Sequence, residues 1–212
     1  MVSTSTFLGT LTPVAETASR RYHHGNLRAA LLERAEQVVT ERGVHALSLR
    51  ELAREVGVSH GAPRRHFAGR QALLDALALE GFERLGRELR AALDGAGDAF
   101  DARLAAVAIA YFRFATRHAA LVELMFAAKH RPGADELEAA AQRAFTMVLA
   151  LIEEAQAAGE LVSGDCERIG TTIFATLQGL TAMANGGMLG VEKLEAAVTD
   201  TVEQLLHGLR PR

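Results

Sequence analysis

Between Leu47 and Phe67 the chain gathers side chains that can grip a polyanion. The run His60-Gly61-Ala62-Pro63-Arg64-Arg65-His66 offers guanidinium and imidazole donors, which suit phosphate oxygens and the acceptor edge of guanine. Gly61 and Ala62 are small enough to let the backbone approach a flat partner. Phe67 closes the run with a ring that can anchor it to a core.

These groups need a scaffold that holds them outward. Ser48-Leu49-Arg50-Glu51 has the pattern of a capping box, which starts a helix with Leu49, Leu52, Ala53 and Val56 on its apolar face. Gly57 suits the left-handed backbone of a tight corner, and Val58 can plug that corner. Ser59 can cap a short helix reaching His66. Two short helices about a sharp turn form a helix-turn-helix, whose second helix enters a major groove. Pro63 is compatible with this only if the second helix starts late or has a tightened first turn, where a missing N–H costs little.

The charge is placed to match. Arg20–Arg70 holds ten arginines, no lysine and five glutamates, yet the whole chain has a net charge of −3. A basic block on an acidic remainder reads as a polyanion-binding head on a body that avoids polyanions. Arg20 and Arg21 are candidates for an arm into the adjacent minor groove.

The remaining pattern is helical throughout. Periodicity predicts an all-α fold of about nine helices: Asn26–Arg42, one from Ser48, one from Ser59 to His66, then Arg70–Leu93, Asp98–Arg117, Ala119–Lys129, Ala134–Ala158, Asp165–Ala184 and Val191–Leu206. The division expected is a flexible tail over 1–19, a helix-turn-helix domain over 20–69, and a helical domain for ligand binding and dimerisation over 70–212. The long helix from Arg70 joins head to body without a flexible linker. Ile169, Ile173, Leu177 and Leu180, with Val191, Leu194, Val198, Val202, Leu205 and Leu206, make apolar stripes that can pair in a two-fold four-helix interface.

At this point the chain resembles a known family. Ser48-Leu-Arg-Glu-Leu-Ala, Gly57-Val-Ser-His-Gly-Ala-Pro-Arg-Arg-His-Phe67 and Gly69-Arg-Gln-Ala-Leu-Leu74 are similar to the DNA-binding region of TetR-type repressors. The resemblance implies an all-helical dimer with a small-molecule effector, bound to double-stranded DNA. It implies a DNA-binding set of Ser48, Arg50, Ser59, His60, Gly61, Ala62, Arg64, Arg65, His66 and Arg70. Within that set His60, Gly61 and Ala62 face bases, Arg65 and His66 lie near phosphates, and Arg70 stands where the family usually has a phosphate-gripping Lys. Arg64 replaces the Tyr typical of the family, which shifts the expected operator preference.

A second, shorter resemblance covers Ile109-Ala-Tyr-Phe-Arg-Phe-Ala-Thr-Arg-His118 and Leu121-Val-Glu-Leu-Met-Phe126, which are similar to the WHG subgroup. The subgroup's Trp and His are replaced here by Phe174 and Gln178. The candidate pocket residues are Tyr111, Phe114, Met125, Phe145, Phe174 and Gln178, with His118, Phe126, Met147 and Met183 on the same helices. Gln178 stands out because a buried amide must find a hydrogen-bond partner in protein, water or ligand.

Other chemistries lack their parts. His23-His24 has no accompanying Cys or carboxylate pattern for zinc. There is no serine elbow, phosphate-binding glycine loop or paired-carboxylate site. We therefore expect no enzyme, no metal and no cofactor. A lone Cys166, no apolar run long enough to span a bilayer and no signal-like start favour a cytoplasmic protein with no membrane partner. The expected function is a ligand-responsive transcriptional regulator, with repressor as the default sign. The alternatives are an activator or ligand-independent DNA binder, and a helical ligand-binding protein or enzyme without a DNA role.

Overall fold

A computed structural model describes residues 27–210. The expected tail, the Arg20-Arg21 arm and the His23-His24 pair lie outside the described residues. Among those described there are eight α-helices and no strand: α1 Leu27–Arg42, α2 Leu49–Val56, α3 Arg70–Asp94, α4 Phe100–Arg117, α5 Ala119–Lys129, α6 Asp135–Ala157, α7 Cys166–Asn185 and α8 Val191–Leu209. Two short 3-10 turns, Val44–Ala46 and Pro63–Arg65, complete the head.

The head forms because three short apolar faces meet. α1 buries Leu31, Leu32, Ala35, Val38 and Val39. α2 buries Leu52, Ala53 and Val56, and the small Ala53 lets the two helices come close. Gly57 stops α2 with φ 77° and ψ 31°, the left-handed region in which a Cβ would be strained. Its N–H and that of Val58 cap the last carbonyls of α2. Phe67, 2% exposed, then plugs the same core. Glu55 fastens α2 to α1 by accepting from Arg34 Nε at 2.6 Å and Arg42 Nη2 at 3.3 Å. That pairing holds the Glu55 carboxyl below its usual range.

Two details differ from the sequence expectation. Ser48 occupies the N-cap of α2, but its hydroxyl makes no cap bond, so the capping box is not formed. The expected third helix is only the 3-10 turn Pro63–Arg65, shorter than the Ser59–His66 span, though its late, tightened start is the one that Pro63 called for. Pro63 opens it and is itself buried, so the residue lacking an N–H sits where none is needed.

The body is built outward from α3, with α7 and α8 on its far side. α3 packs against α4, α5 and α6, α4 against α7 and α8, and α6 and α8 against α7. Asp165 caps α7, its carboxylate accepting from the Glu167 and Arg168 amides. The buried apolar residues form a single continuous core from Leu31 in α1 to Leu206 in α8. Leu73, Leu74, Leu77, Leu85 and Leu89 on α3 carry it from head to body.

Candidate functional site: a cationic turn and an aromatic cavity

The tight corner after Gly57 aims the chain outward. Ala62 N–H bonds the Ser59 carbonyl at 2.9 Å, and Phe67 N–H bonds that of Pro63 at 2.9 Å. With Pro63 and Phe67 buried, the residues between and before them must face out. Ser59, His60, Gly61, Arg64, Arg65 and His66 are exposed, and Ala62 is half-buried. Arg50 is exposed on α2, and Ser48 is half-buried at its start. Among the described residues neither Arg50, Arg64 nor Arg65 enters an ion pair. Uncommitted guanidinium groups on a protruding turn suit phosphates and guanine. Nine of the ten sequence candidates are thus exposed or half-buried along α2 and the corner that follows it, with no side-chain hydrogen bond among the described residues. Arg54, which the sequence reading passed over, is exposed one turn after Arg50. Their i, i+4 spacing was the available signal.

Arg70 behaves otherwise. Its Nε donates to the Leu47 carbonyl at 3.1 Å and its Nη2 to the Val44 carbonyl at 2.6 Å. The guanidinium is a clasp between the start of α3 and the connection before α2. We expect Arg70→Ala to destabilise the head by about 1–2 kcal/mol through these lost carbonyl bonds. The salt dependence of DNA binding should keep its slope. A slope lower by about one unit with unchanged thermal stability would restore a phosphate role.

A second polar cluster joins head to body. Arg84 of α3 grips Glu36 of α1 with two bonds, Nη2–Oε1 at 2.7 Å and Nη1–Oε2 at 3.2 Å. The same guanidinium lies 5.5 Å over the Phe114 ring of α4. His118, at the α4–α5 junction, places Nδ1 3.1 Å from Glu36 Oε1. Glu36 would favour an imidazolium, but burial and Arg84 outweigh it and hold His118 below its ordinary 6.5, with Arg117 and Glu88 as smaller, opposed influences. The folded protein therefore binds fewer protons here than the unfolded chain. The stability from a neutral His118 is complete above about pH 6.5 and declines as pH falls below it. Melting curves of the wild type and His118→Gln across this range should diverge, the variant losing less. Parallel curves would remove His118 from the acid response.

The body holds a cavity of about 970 Å³ bounded by α4, α6, α7 and the α5–α6 loop. Tyr111, Phe145 and Phe174 line it, as the sequence reading expected, and so does Phe126. The four rings form one cluster in which Phe145 and Phe174 each neighbour the other three, with centroid separations from 5.4 to 6.5 Å. Aliphatic side chains such as Leu104, Val107 and Leu177 complete the apolar wall.

Phe114, Met125 and Gln178 do not line it. Phe114 is fully buried beneath Arg84. Met125 is fully buried in the space that Gly81 leaves on α3, where a Cβ would meet its sulfur. The Gln178 amide oxygen accepts from Tyr111 Oη at 2.6 Å. Its partner is protein, and its role is to hold a wall ring in place. Burial also raises the Tyr111 phenol above its ordinary range, so it stays a neutral donor. His118, Met147 and Met183 likewise lie outside the cavity wall.

A protruding basic turn joined by one helix to a body with an apolar cavity defines a DNA-binding transcriptional regulator. Residues 31–77 match the description "Bacterial regulatory proteins, tetR family", and residues 104–209 match "Tetracyclin repressor-like, C-terminal domain". The chain belongs to the TetR family. Among solved structures it is similar to a protein of unknown function from Rhodococcus sp. RHA1, with 45% identity and TM-score 0.82, covering 91% of this chain and 100% of that one. A putative TetR-family transcriptional regulator from Rhodococcus sp. shares 22% identity at TM-score 0.66, covering 84% and 97%. The transcriptional regulator FadR from Bacillus subtilis, in complex with stearoyl-CoA, shares 16% identity at TM-score 0.70, covering 82% and 97%. No curated protein matches the chain. Among the described residues no helix is long and apolar enough to cross a membrane.

Proposed function

We propose that this regulator is a repressor that leaves a two-fold symmetric operator when a small, largely apolar effector fills the body cavity. The head over 20–69 reads DNA through Arg50, His60, Gly61, Ala62, Arg64, Arg65 and His66, with Ser48 and Ser59 at its margins. The body over 70–212 binds the effector and pairs with a second copy through the outer faces of α7 and α8, because Ile169, Ile173, Leu177, Leu194, Val198, Val202 and Leu206 of the expected stripes are buried in the chain's own core. Met188 and Leu189 between those helices and Val191 at the start of α8 are exposed apolar side chains, which suits such a pairing. Two heads about 34–36 Å apart meet successive major grooves. A protein of this kind works in the cytoplasm and needs no catalytic group.

The single observation that carries the effector reading is the aromatic cavity. A ligand-independent DNA binder has no use for a pocket of about 970 Å³ that opens from a polar rim onto four aromatic rings. The FadR neighbour, which holds stearoyl-CoA, shares this fold. An effector can move the head only if it binds one spacing of the two heads better than the other.

The test has two stages. Binding sites are selected from random duplex DNA with the full chain, and a palindromic consensus is expected. Release from that consensus is then measured by fluorescence anisotropy against a panel of apolar compounds. Indifference to every duplex at low salt would overturn the DNA role. Tight operator binding that no cavity ligand changes would overturn the effector role.

A further inference from the structure

Arg84 of α3 is held from two directions. Its Nη2 and Nη1 donate to the two oxygens of Glu36 on α1, at 2.7 and 3.2 Å, which fixes the edge of the guanidinium. The Phe114 ring of α4, its centroid 5.5 Å away, fixes the face. His118 adds a third neighbour, its Nδ1 3.1 Å from the Glu36 oxygen that Nη2 binds. Glu36, Arg84 and His118 are all half-buried, so water screens their pairing less than it would at the surface. The nearby Arg117–Glu88 pair is a looser contact, 3.9 Å, between more exposed side chains.

Among the described residues this is one of two places where a guanidinium ties the head to α3. Arg70 is the other, clasping the carbonyls of Val44 and Leu47. Arg84 lies fourteen residues further on, about 21 Å along the helix axis. A single tie leaves the head free to pivot about it, whereas two ties far apart on one rod select one angle. The packing of α1 on α3 and α5 brings the surfaces together but allows a small slide or roll. A two-bond ion pair has a single geometry and resists both.

We propose, resting on the reading of the chain as a two-headed DNA-binding dimer, that Glu36 and Arg84 set the half-site spacing this regulator accepts. They are positioning residues and act through the angle of each head on its body. With the two bodies paired, that angle decides how far apart the two protruding turns stand. One extra base pair between half-sites moves the second by about 3.4 Å and rotates it by roughly a tenth of a turn. A head locked at both ties cannot follow that displacement. A head tied only at Arg70 follows it by pivoting.

The test uses the full chain and the operator selected from random duplex DNA. Three duplexes carry the same half-sites with the spacer unchanged, one base pair longer or one base pair shorter. Affinities are read by fluorescence anisotropy at one salt concentration. The wild type should favour the selected spacer steeply. Glu36→Gln removes the charge that Arg84 grips, and Arg84→Lys keeps a cation over Phe114 but loses the fork. Each should narrow the preference for the selected spacer by about tenfold. The double variant should narrow it no further than one single change, because both break the same link. Melting curves report whether each variant is folded, and Arg84→Lys decides the matter should Glu36→Gln fold poorly. A spacer preference as steep as that of the wild type in the folded variants would overturn the proposal alone. So would an equal loss at all three spacers, the mark of a head that is merely destabilised. A wild type indifferent to spacer, or a selected site without two-fold symmetry, would overturn it together with the dimer reading.

Discussion

Phe67→Ala should lower the stability of the chain by about 3–5 kcal/mol, the usual cost of removing a buried ring. Phe67 is 2% exposed and sits where the turn Pro63–Arg65 returns to the head core. Its ring packs in the same cluster as Leu31, Val56 and Leu73, and the Arg28 guanidinium lies 5.8 Å over it. Without the ring only the buried Pro63 and the backbone bonds hold the turn, so operator binding should fail well below the melting temperature. Chemical denaturation followed by circular dichroism measures the first effect, and anisotropy on the selected operator measures the second. A loss below about 1 kcal/mol would mean that the turn is held by its backbone bonds alone.

Arg64→Ala should leave the fold untouched, because Arg64 is exposed and enters no ion pair among the described residues. It should weaken binding to the selected operator by about 1–3 kcal/mol, roughly 5- to 150-fold, if the guanidinium grips guanine with two bonds. The loss should be concentrated at one base position. Repeating the site selection with the variant would show that position relaxed and the rest of the consensus retained. A uniform loss over all sequences, with a lower salt slope, would assign Arg64 to a phosphate instead.

The long helices were legible because each has an apolar stripe at helical spacing over several turns, as with Leu73, Leu77, Phe82, Leu85 and Leu89 on α3. The corner was legible because Gly57 is the residue that tolerates its backbone. Short elements escaped. Val44–Ala46 is a single 3-10 turn, too brief to show a period. Ser59 looked like a helix cap, but the turn it precedes begins at Pro63.

The site was legible where local pattern decides exposure and obscure where distant partners do. His60, Arg64, Arg65 and His66 follow from a turn whose only buried members are its proline and its phenylalanine. Gln178 and Arg70 do not. Tyr111 lies 67 residues from Gln178, and the carbonyls that occupy Arg70 lie 23 and 26 residues before it. No spacing rule within one helix reports such meetings. The two misplaced pocket candidates, Phe114 and Met125, have the same residue types as the true wall. They differ only in which neighbour covers them, Arg84 for one and Gly81 for the other.

The shared core along α3 has a practical corollary for anyone building hybrid regulators. A reader module excised at residue 69 would leave behind Leu73, Leu74 and Leu77, and with them part of the wall against which α1 is packed. Such a fragment should be soluble only as a loose chain. A transplant that carries the first two turns of α3 along with it keeps its own hydrophobic lining, and the splice then falls where one rod can be joined to another in register.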